Sequence, residues 1–326
     1  MGDDALWPRA GGWEPWDRLP AEGAVDLAFL GVPAWRTSLS PTGAHATPGA
    51  VRDALRRYSP ALLPDRAPAR TTTADGDAAA ARGALAGRPE AVDLGELVCA
   101  DLGDIAEPDS PEGEERTAAR VAEALKRARK LVAVGGDNSI TVAVARGAWG
   151  EDIARAGLVT LDAHLDLRDG TSNGSPVRRL LEAGLDGRRV VQIGIADFAN
   201  SVAYSCRAAE HGITVIHRDE LHRRPIHEVM AEALEIAGAA GGPVHVDLDV
   251  DVCDRAVAPG CPASVPGGIA AWELRAAARA AGADPRVRSV DITEVDALAD
   301  APDGRTVRLA ALCVLEVAAG LALHQR

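Results

Sequence analysis

Three short segments hold most of the residues able to do chemistry. The run GLVTLDAHLDLR (157–168) spaces Asp162, His164 and Asp166 at alternate positions. VHVDLDVDVCD (244–254) carries Asp247, Asp249, Asp251 and Asp254, and VDITEVD (290–296) carries Asp291, Glu294 and Asp296. Alternate residues of an extended strand share one face, so Asp162, His164 and Asp166 are predicted to converge, and so are Asp249 and Asp251. Anions crowded around one imidazole repel each other unless cations sit among them. One or two divalent ions resolve this, and carboxylate-rich ligation with little imidazole suits Mn2+ better than Zn2+, whose sites favour His and Cys. A pair of such ions can bridge a water and lower its pKa towards neutrality. Any single acid here could equally be a helix cap or a loop residue. Three acid-bearing strand ends together with His164 favour the metal site.

A fourth segment, VGGDNSIT (134–141), follows an apolar run and opens a helix. Its Gly-Gly turn would put Asn138 at the carboxyl edge of the sheet, where open α/β folds keep their ligands. An amide there is unexpected, because it is a neutral and weaker donor than imidazole. Of the remaining histidines, His245 alternates with Asp247 on the strand of Asp249 and could support the site, and His45 lies in a Gly/Ala-rich loop. Cys253 and Cys261 have no histidine placed to activate them and read as packing residues.

These segments need a scaffold that brings several strand ends together. The pattern predicts a strand at Val25–Gly31 and then a helix capped at Thr47 with Pro48 in its first turn. Residues 60–92, rich in Pro, Ala, Gly and Asp, read as a surface excursion. A helix is predicted from Glu115 to Lys130, and strands then alternate with helices: LVAVGG, GLVTLD, RVVQIGI, ITVIH, PVHVDLDVD and VRSVDITEV, with helices from Pro176, Ile226 and Ala271 among them and a long apolar helix at the end. Strands apolar on both faces that alternate with helices indicate a parallel sheet covered on both sides. The predicted fold class is α/β, a single three-layer α/β/α domain over residues 1–326 with a central parallel sheet.

Composition narrows the partners. At 326 residues and 47% hydrophobic, the chain can bury a large core. Its net charge of −13 disfavours nucleic acid and anionic membranes. No unbroken apolar run of eighteen residues or secretory leader is read, and five scattered cysteines suit reduced thiols, so a cytoplasmic location is expected.

The motifs GGDNS, DAHLD, DVDVCD with APG downstream, and EVD occur in the order found in the ureohydrolase family, which includes arginases, agmatinases and formimidoylglutamases. The chain resembles that family from LGVPAWRTSLSPTGAHATPGAVRDAL to the last helix. The resemblance implies an arginase-type α/β/α fold and two Mn2+ ions that hydrolyse a C–N bond of a guanidino or formimidoyl group. By matching motif, Asp162 and Asp249 would bridge both ions, Asp166 would complete one site, and His164 with Asp251 the other. Glu294 would hold the cationic amidine, and Asp166 would pass a proton to the leaving amine. The remaining ligand, a His in the family's GGDHS motif, falls on Asn138, which implies one ion held loosely.

The loop SNGSPVRRLLEAG (172–184), with Asn173 and Ser175, and the segment APGCPASVPGG look like the formimidoylglutamase subfamily. That implies N-formimidoyl-L-glutamate as substrate, with glutamate and formamide as products, a step of histidine degradation. The substrate's two carboxylates suit Arg168 and Arg178 through charge-assisted bidentate bonds. The alternatives are a guanidino hydrolase releasing urea, or a metal-weakened homologue without activity. The family often forms homo-oligomers, trimers or hexamers.

Overall fold

The computed structural model describes residues 4, 6–63 and 91–324. The strands are β1 (Glu14–Pro15), β2 (Val25–Val32), β3 (Ala61–Leu62), β4 (Val92–Asp93), β5 (Cys99–Asp104), β6 (Ala128–Gly135), β7 (Gly157–Leu161), β8 (Val190–Ile195), β9 (Thr214–His217), β10 (Val244–Asp249) and β11 (Val287–Thr293). Nine of them form one sheet in the order β1-β5-β2-β6-β11-β10-β7-β8-β9, every pair parallel, while β3 and β4 make a small antiparallel pair.

The helices are α1 (Thr47–Leu55), α2 (Pro111–Leu125), α3 (Ile140–Trp149), α4 (Pro176–Glu182), α5 (Val202–Glu210), α6 (Arg218–Leu221), α7 (Ile226–Ala237), α8 (Ala271–Ala283) and α9 (Arg305–His324). α1, α7, α8 and α9 cover one face of the sheet, over Phe29, Val132, Leu161, Ile193 and Leu248. α2, α3, α4 and α5 cover the other. This is the α/β/α arrangement with a central parallel sheet that the strand and helix alternation predicts.

Several local expectations change. The helix read from Glu115 to Lys130 runs from Pro111 to Leu125, because Ser110 caps it by accepting from Gly113 N (3.0 Å) and Pro111 fits the first turn. Lys130 belongs to β6. Thr47 does not cap α1, since its hydroxyl donates to the Val295 carbonyl (2.5 Å) and so ties the helix to the loop after β11. Most of the stretch 60–92 read as a surface excursion lies outside the described residues, and its ends form β3 and β4.

The central strands are not apolar on both faces. His245 and Asp247 of β10 and Ser289 and Asp291 of β11 are all at most 1% exposed on the face covered by α3, with Asp247 paired in register to Asp291. A buried polar layer thus runs along the middle of the sheet towards its carboxyl edge. His245 bonds Ser289 Oγ through Nδ1 (2.7 Å) and lies 3.3 Å from Asp291 through Nε2, several residues below the site.

The terminal helix α9 is long and apolar enough to cross a membrane, but 78% of its most apolar stretch is buried in this chain. It packs against α8 and α1 as a core helix.

Candidate metal centre and active site

The acids meet because their strands end early, not because they alternate along a strand. β7 stops at Leu161, so Asp162, His164 and Asp166 lie on the loop beyond it. β10 stops at Asp249, and Asp251 sits in the single 3-10 turn Val250–Val252. Asp166 (φ +52°) and Glu294 (φ +60°) take left-handed backbone conformations, which non-glycine residues adopt only where their surroundings hold them.

Hydrogen bonds clip the loops into place. Asp162 accepts from His164 N (2.6 Å), Asp249 from Asp251 N (2.8 Å), and Asp251 from Ala163 N (2.9 Å). Asn200 braces the same loop by accepting from Leu165 N (2.8 Å) and donating to the Ala163 carbonyl (2.9 Å). The Gly-Gly turn after β6 is required sterically: a Cβ on Gly136 would lie 1.6 Å from the Ala34 carbonyl oxygen.

The result is a buried surplus of negative charge. Asp162, Asp166, Asp249, Asp251 and Glu294 are each at most 7% exposed. Burial, followed by the charge of Asp251, pushes Asp162 up to about 7. Burial and Asp162 raise Asp166 well above the usual carboxylate range, and burial and Asp251 do the same to Asp249. Burial also works against ionised Asp251, but the neighbouring imidazolium outweighs it and holds this acid below its ordinary value. His164 Nδ1 lies 2.6 Å from Asp251 and 3.5 Å from Asp162; although burial opposes its charge, these acids drive it up to about 12.

A cation fits this donor set. The ligand atoms of Asp162, His164 and Asp251 lie within 4.8 Å of one another. Asp162 Oδ2 is buried with no hydrogen-bond donor among the described residues, a costly state for a carboxylate oxygen that a metal ion relieves.

Asn138 is in place but turned. Its Nδ2 donates to Asp166 Oδ2 (2.6 Å), while Oδ1 accepts from the hydroxyls of Thr141 (2.7 Å) and Thr293 (3.3 Å). The amide therefore presents a donor to the acids, and its oxygen faces away from them. The Asn138 backbone N–H donates to Glu294 Oε1 (2.8 Å), which also accepts from Asn173 Nδ2 (2.8 Å). Burial, then Asp137, raises Glu294 to about 8 against these two bonds.

Above the acids opens a cavity of about 530 Å3, lined by His164, Asp166, Asp249, Asp251, Glu294, Asn173 and Arg168. Arg168 is exposed, and its guanidinium has no ion-pair partner among the described residues. Ser175 and Arg178 stand outside the lining. Ser175 is fully buried, with Oγ donating to the Ser172 carbonyl (2.8 Å). Arg178 donates to the Arg168 carbonyl (2.6 Å) and the Gly170 carbonyl and pairs with Glu182 (2.5 Å). Both hold the 168–175 loop and do not face the cavity.

The sequence reading also missed residues that line the cavity, namely Asn200, Tyr204, Leu39, Ser40 and Phe198. Phe198 is fully exposed at the rim on left-handed backbone (φ +64°). Their spacing follows no chemical pattern. Only ADFANS, a turn-rich run between a strand and a helix, hinted at a functional loop.

Residues 25–320 match the model of the arginase family, and the chain belongs to that family. A formimidoylglutamase of Halalkalibacterium halodurans is 32% identical over 316 residues, covering 94% of this chain and 89% of that protein. The crystal structure of the formimidoylglutamase from Bacillus subtilis superposes with a TM-score of 0.82 at 27% identity, covering 99% of this chain and 94% of that one. A variant of Trypanosoma cruzi formiminoglutamase with Mn2+ shares the fold, with a TM-score of 0.80 at 22% identity and coverage of 98% of this chain and 99% of that one.

Proposed function

We propose that the chain is a dinuclear manganese hydrolase that cleaves the formimidoyl C–N bond of N-formimidoyl-L-glutamate, giving glutamate and formamide, through one catalytic domain spanning residues 1–326. The observation that carries this reading is the buried carboxylate cluster under a cavity whose wall holds Arg168, unpaired among the described residues. The likeness to formimidoylglutamases over nearly the whole chain supports the substrate. By the family resemblance, the protein works in the cytosol as a homo-oligomer.

Asp162, His164, Asp249 and Asp251 would hold one ion, and Asp162, Asp249 and Asp166 the other, with Asn138 joining if its amide turns over. When bound, the ions supply a water of lowered pKa and neutralise the acids. The chain's own groups do the rest. Glu294 Oε1 is fixed by two N–H donors, which leaves Oε2 for the protonated amidine nitrogens. Arg168 is placed to take a substrate carboxylate through a bidentate bond. Asp166, ionised once the neighbouring charges are neutralised, would take a proton from the attacking water and pass it to the leaving amine as the C–N bond breaks. Water thus adds its oxygen to the carbon of the protonated formimidoyl group, and both its hydrogens leave on the glutamate nitrogen, which departs as an ammonium group.

The test is a panel of N-formimidoylglutamate, agmatine, arginine and guanidino acids assayed with Mn2+ for formamide and urea separately. Formamide with glutamate is the expected product. Faster release of urea from a guanidino substrate would replace this reading with a guanidino hydrolase, and turnover of nothing in the panel would leave a non-catalytic homologue.

A further inference from the structure

The opposite edge of the sheet carries the inverse charge arrangement. Where α2 ends and β6 and β11 begin, a cavity of about 330 Å3 is lined by Lys126, Arg127, Arg129, Lys130, Arg288 and His324, with no carboxylate in its wall among the described residues. The whole chain carries a charge of −13, so five cations around one concavity run against its composition.

Three of these cations spend their hydrogen bonds on neutral carbonyls. Lys130 Nζ donates to the carbonyls of Asp284 (2.5 Å) and Val287 (2.6 Å). Arg127 donates to those of Pro20 (2.5 Å) and Gly23 (3.1 Å), and Arg288 to those of Arg129 (3.1 Å) and Leu125 (2.9 Å). Such bonds orient the groups without cancelling their charge. Lys126 pairs with Glu123 (2.6 Å) and Arg129 with Asp26 (3.4 Å), but both cationic side chains are largely exposed, at 70% and 43%, where ion pairs are weak.

Lys130 is the most telling member. It is 2% exposed, and burial drives its ammonium down to about 7, with Arg288 and Arg129 adding to the fall against the pull of Asp284. A buried lysine hydrogen-bonded to carbonyls, whose neighbouring carboxylate Asp284 is engaged by Arg286, marks a cavity suited to an anion.

We propose that this cavity binds a small anion of the phosphate class, a polyphosphate or phosphate ester carrying several negative charges. The guanidinium groups suit the oxyanion geometry, and the count of cations calls for more than one negative charge. Nucleic acid is disfavoured, because the cations line a concavity on an otherwise acidic protein and do not form an extended stripe. The site is independent of the hydrolase reading: β6, eight residues long, separates the two edges by roughly 25 Å.

Isothermal titration of the Mn2+-loaded protein in 150 mM-class salt with inorganic tripolyphosphate, ATP and citrate tests it. The expected result is saturable 1:1 binding of tripolyphosphate, weakened at least ten-fold in a Lys126→Ala/Arg129→Ala double variant. Those side chains are exposed and far from the carboxylate cluster, so hydrolysis without the probe should match wild type. Removal of Mn2+ by the probe is common to both proteins and cancels in the difference. Equal affinity for ATP and tripolyphosphate assigns recognition to the phosphate chain, and markedly tighter ATP assigns a nucleotide. Citrate binding as tightly as either, unsaturable binding, or unchanged affinity in the double variant overturns the proposal. Lys130→Met is a second probe of the same prediction, and the double variant decides if Lys130→Met does not fold.

Discussion

The two edges of the central sheet face opposite electrostatic problems. At the carboxyl edge five buried carboxylates have one imidazole among them. At the amino edge five cations line a cavity with no carboxylate in its wall among the described residues. Both are unbalanced on their own, and burial makes the imbalance costly for the five acids and for Lys130. The difference lies in how the backbone treats them. Carbonyls orient three cations of the amino edge, but backbone N–H groups, Asn138 and Asn173 supply donors to the acids, and Asp162 Oδ2 still has none among the described residues. In the reading proposed above, the acidic edge is completed by metal cations, and the basic edge by an anion.

Removing a metal-binding acid should break the carboxyl edge most completely. Asp249→Ala, loaded with Mn2+, is expected to lose more of kcat than the ~10^4-fold ceiling for one acid–base group. The variant also loses the acceptor for Asp251 N that holds the loop, so the informative comparison is the gain in Tm on adding Mn2+, which should be smaller than in wild type. Wild-type turnover, or the same Mn2+-induced gain in Tm as wild type, would separate Asp249 from the site.

The next effect is on stability. Asp162 rises from an ordinary 3.8 to about 7 and Glu294 from 4.5 to about 8, so the folded metal-free protein holds protons that the unfolded chain releases between these values. Stability then falls as pH rises through that window, by an amount on the order of 3–5 kcal/mol between pH 5 and 7. His164 adds to the fall above about 6.5, and Lys130 opposes it only above about 7, which makes pH 5 to 7 the clean interval. Mn2+ needs ionised acids, so its stabilisation should grow over the same interval. Thermal melts with EDTA and with Mn2+ at both pH values check this, and an EDTA-treated protein more stable at pH 7 than at pH 5 would refute it.

Asn138 sharpens the comparison within the acidic edge. Its amide gives Asp166 a donor where the family resemblance implies a ligand. Asn138→His should raise retention of the second ion by about 10–100-fold in affinity. Metal counting after long dialysis should find near two ions in the variant and fewer in wild type; two in both would show that the amide turns over and binds well enough.

The main chemistry was legible because the residue types are unusual: DAHLD and DVD at strand ends have few other uses. Their geometry was not, since a strand's end depends on register with its neighbours: β7 stops before Asp162, His164 and Asp166, and β10 ends at Asp249, before Asp251. β5, CADLGD, was missed because its place comes from pairing with β2 and not from an apolar pattern. Lys130 read as a helix residue, which hid the basic cavity. Asn200 and Tyr204 reach the site from the loop and helix after β8, a proximity that only the tertiary fold creates.

The two arginines expected to meet the substrate provide the finest distinction. Arg168 lines the cavity with its guanidinium unpaired among the described residues, whereas Arg178 is spent on the Arg168 and Gly170 carbonyls and on Glu182. Arg168→Met should raise KM and lower kcat/KM for a dicarboxylate substrate by about 10–100-fold, the worth of one charge-assisted contact. An amidine without carboxylates should be turned over as before. Arg178→Met should instead cost about 1 kcal/mol of stability through the loop bonds it loses, with no preference between substrates with and without carboxylates. If Arg178→Met discriminates against carboxylates as strongly as Arg168→Met, the loop must move on binding, and the two arginines form a single clamp.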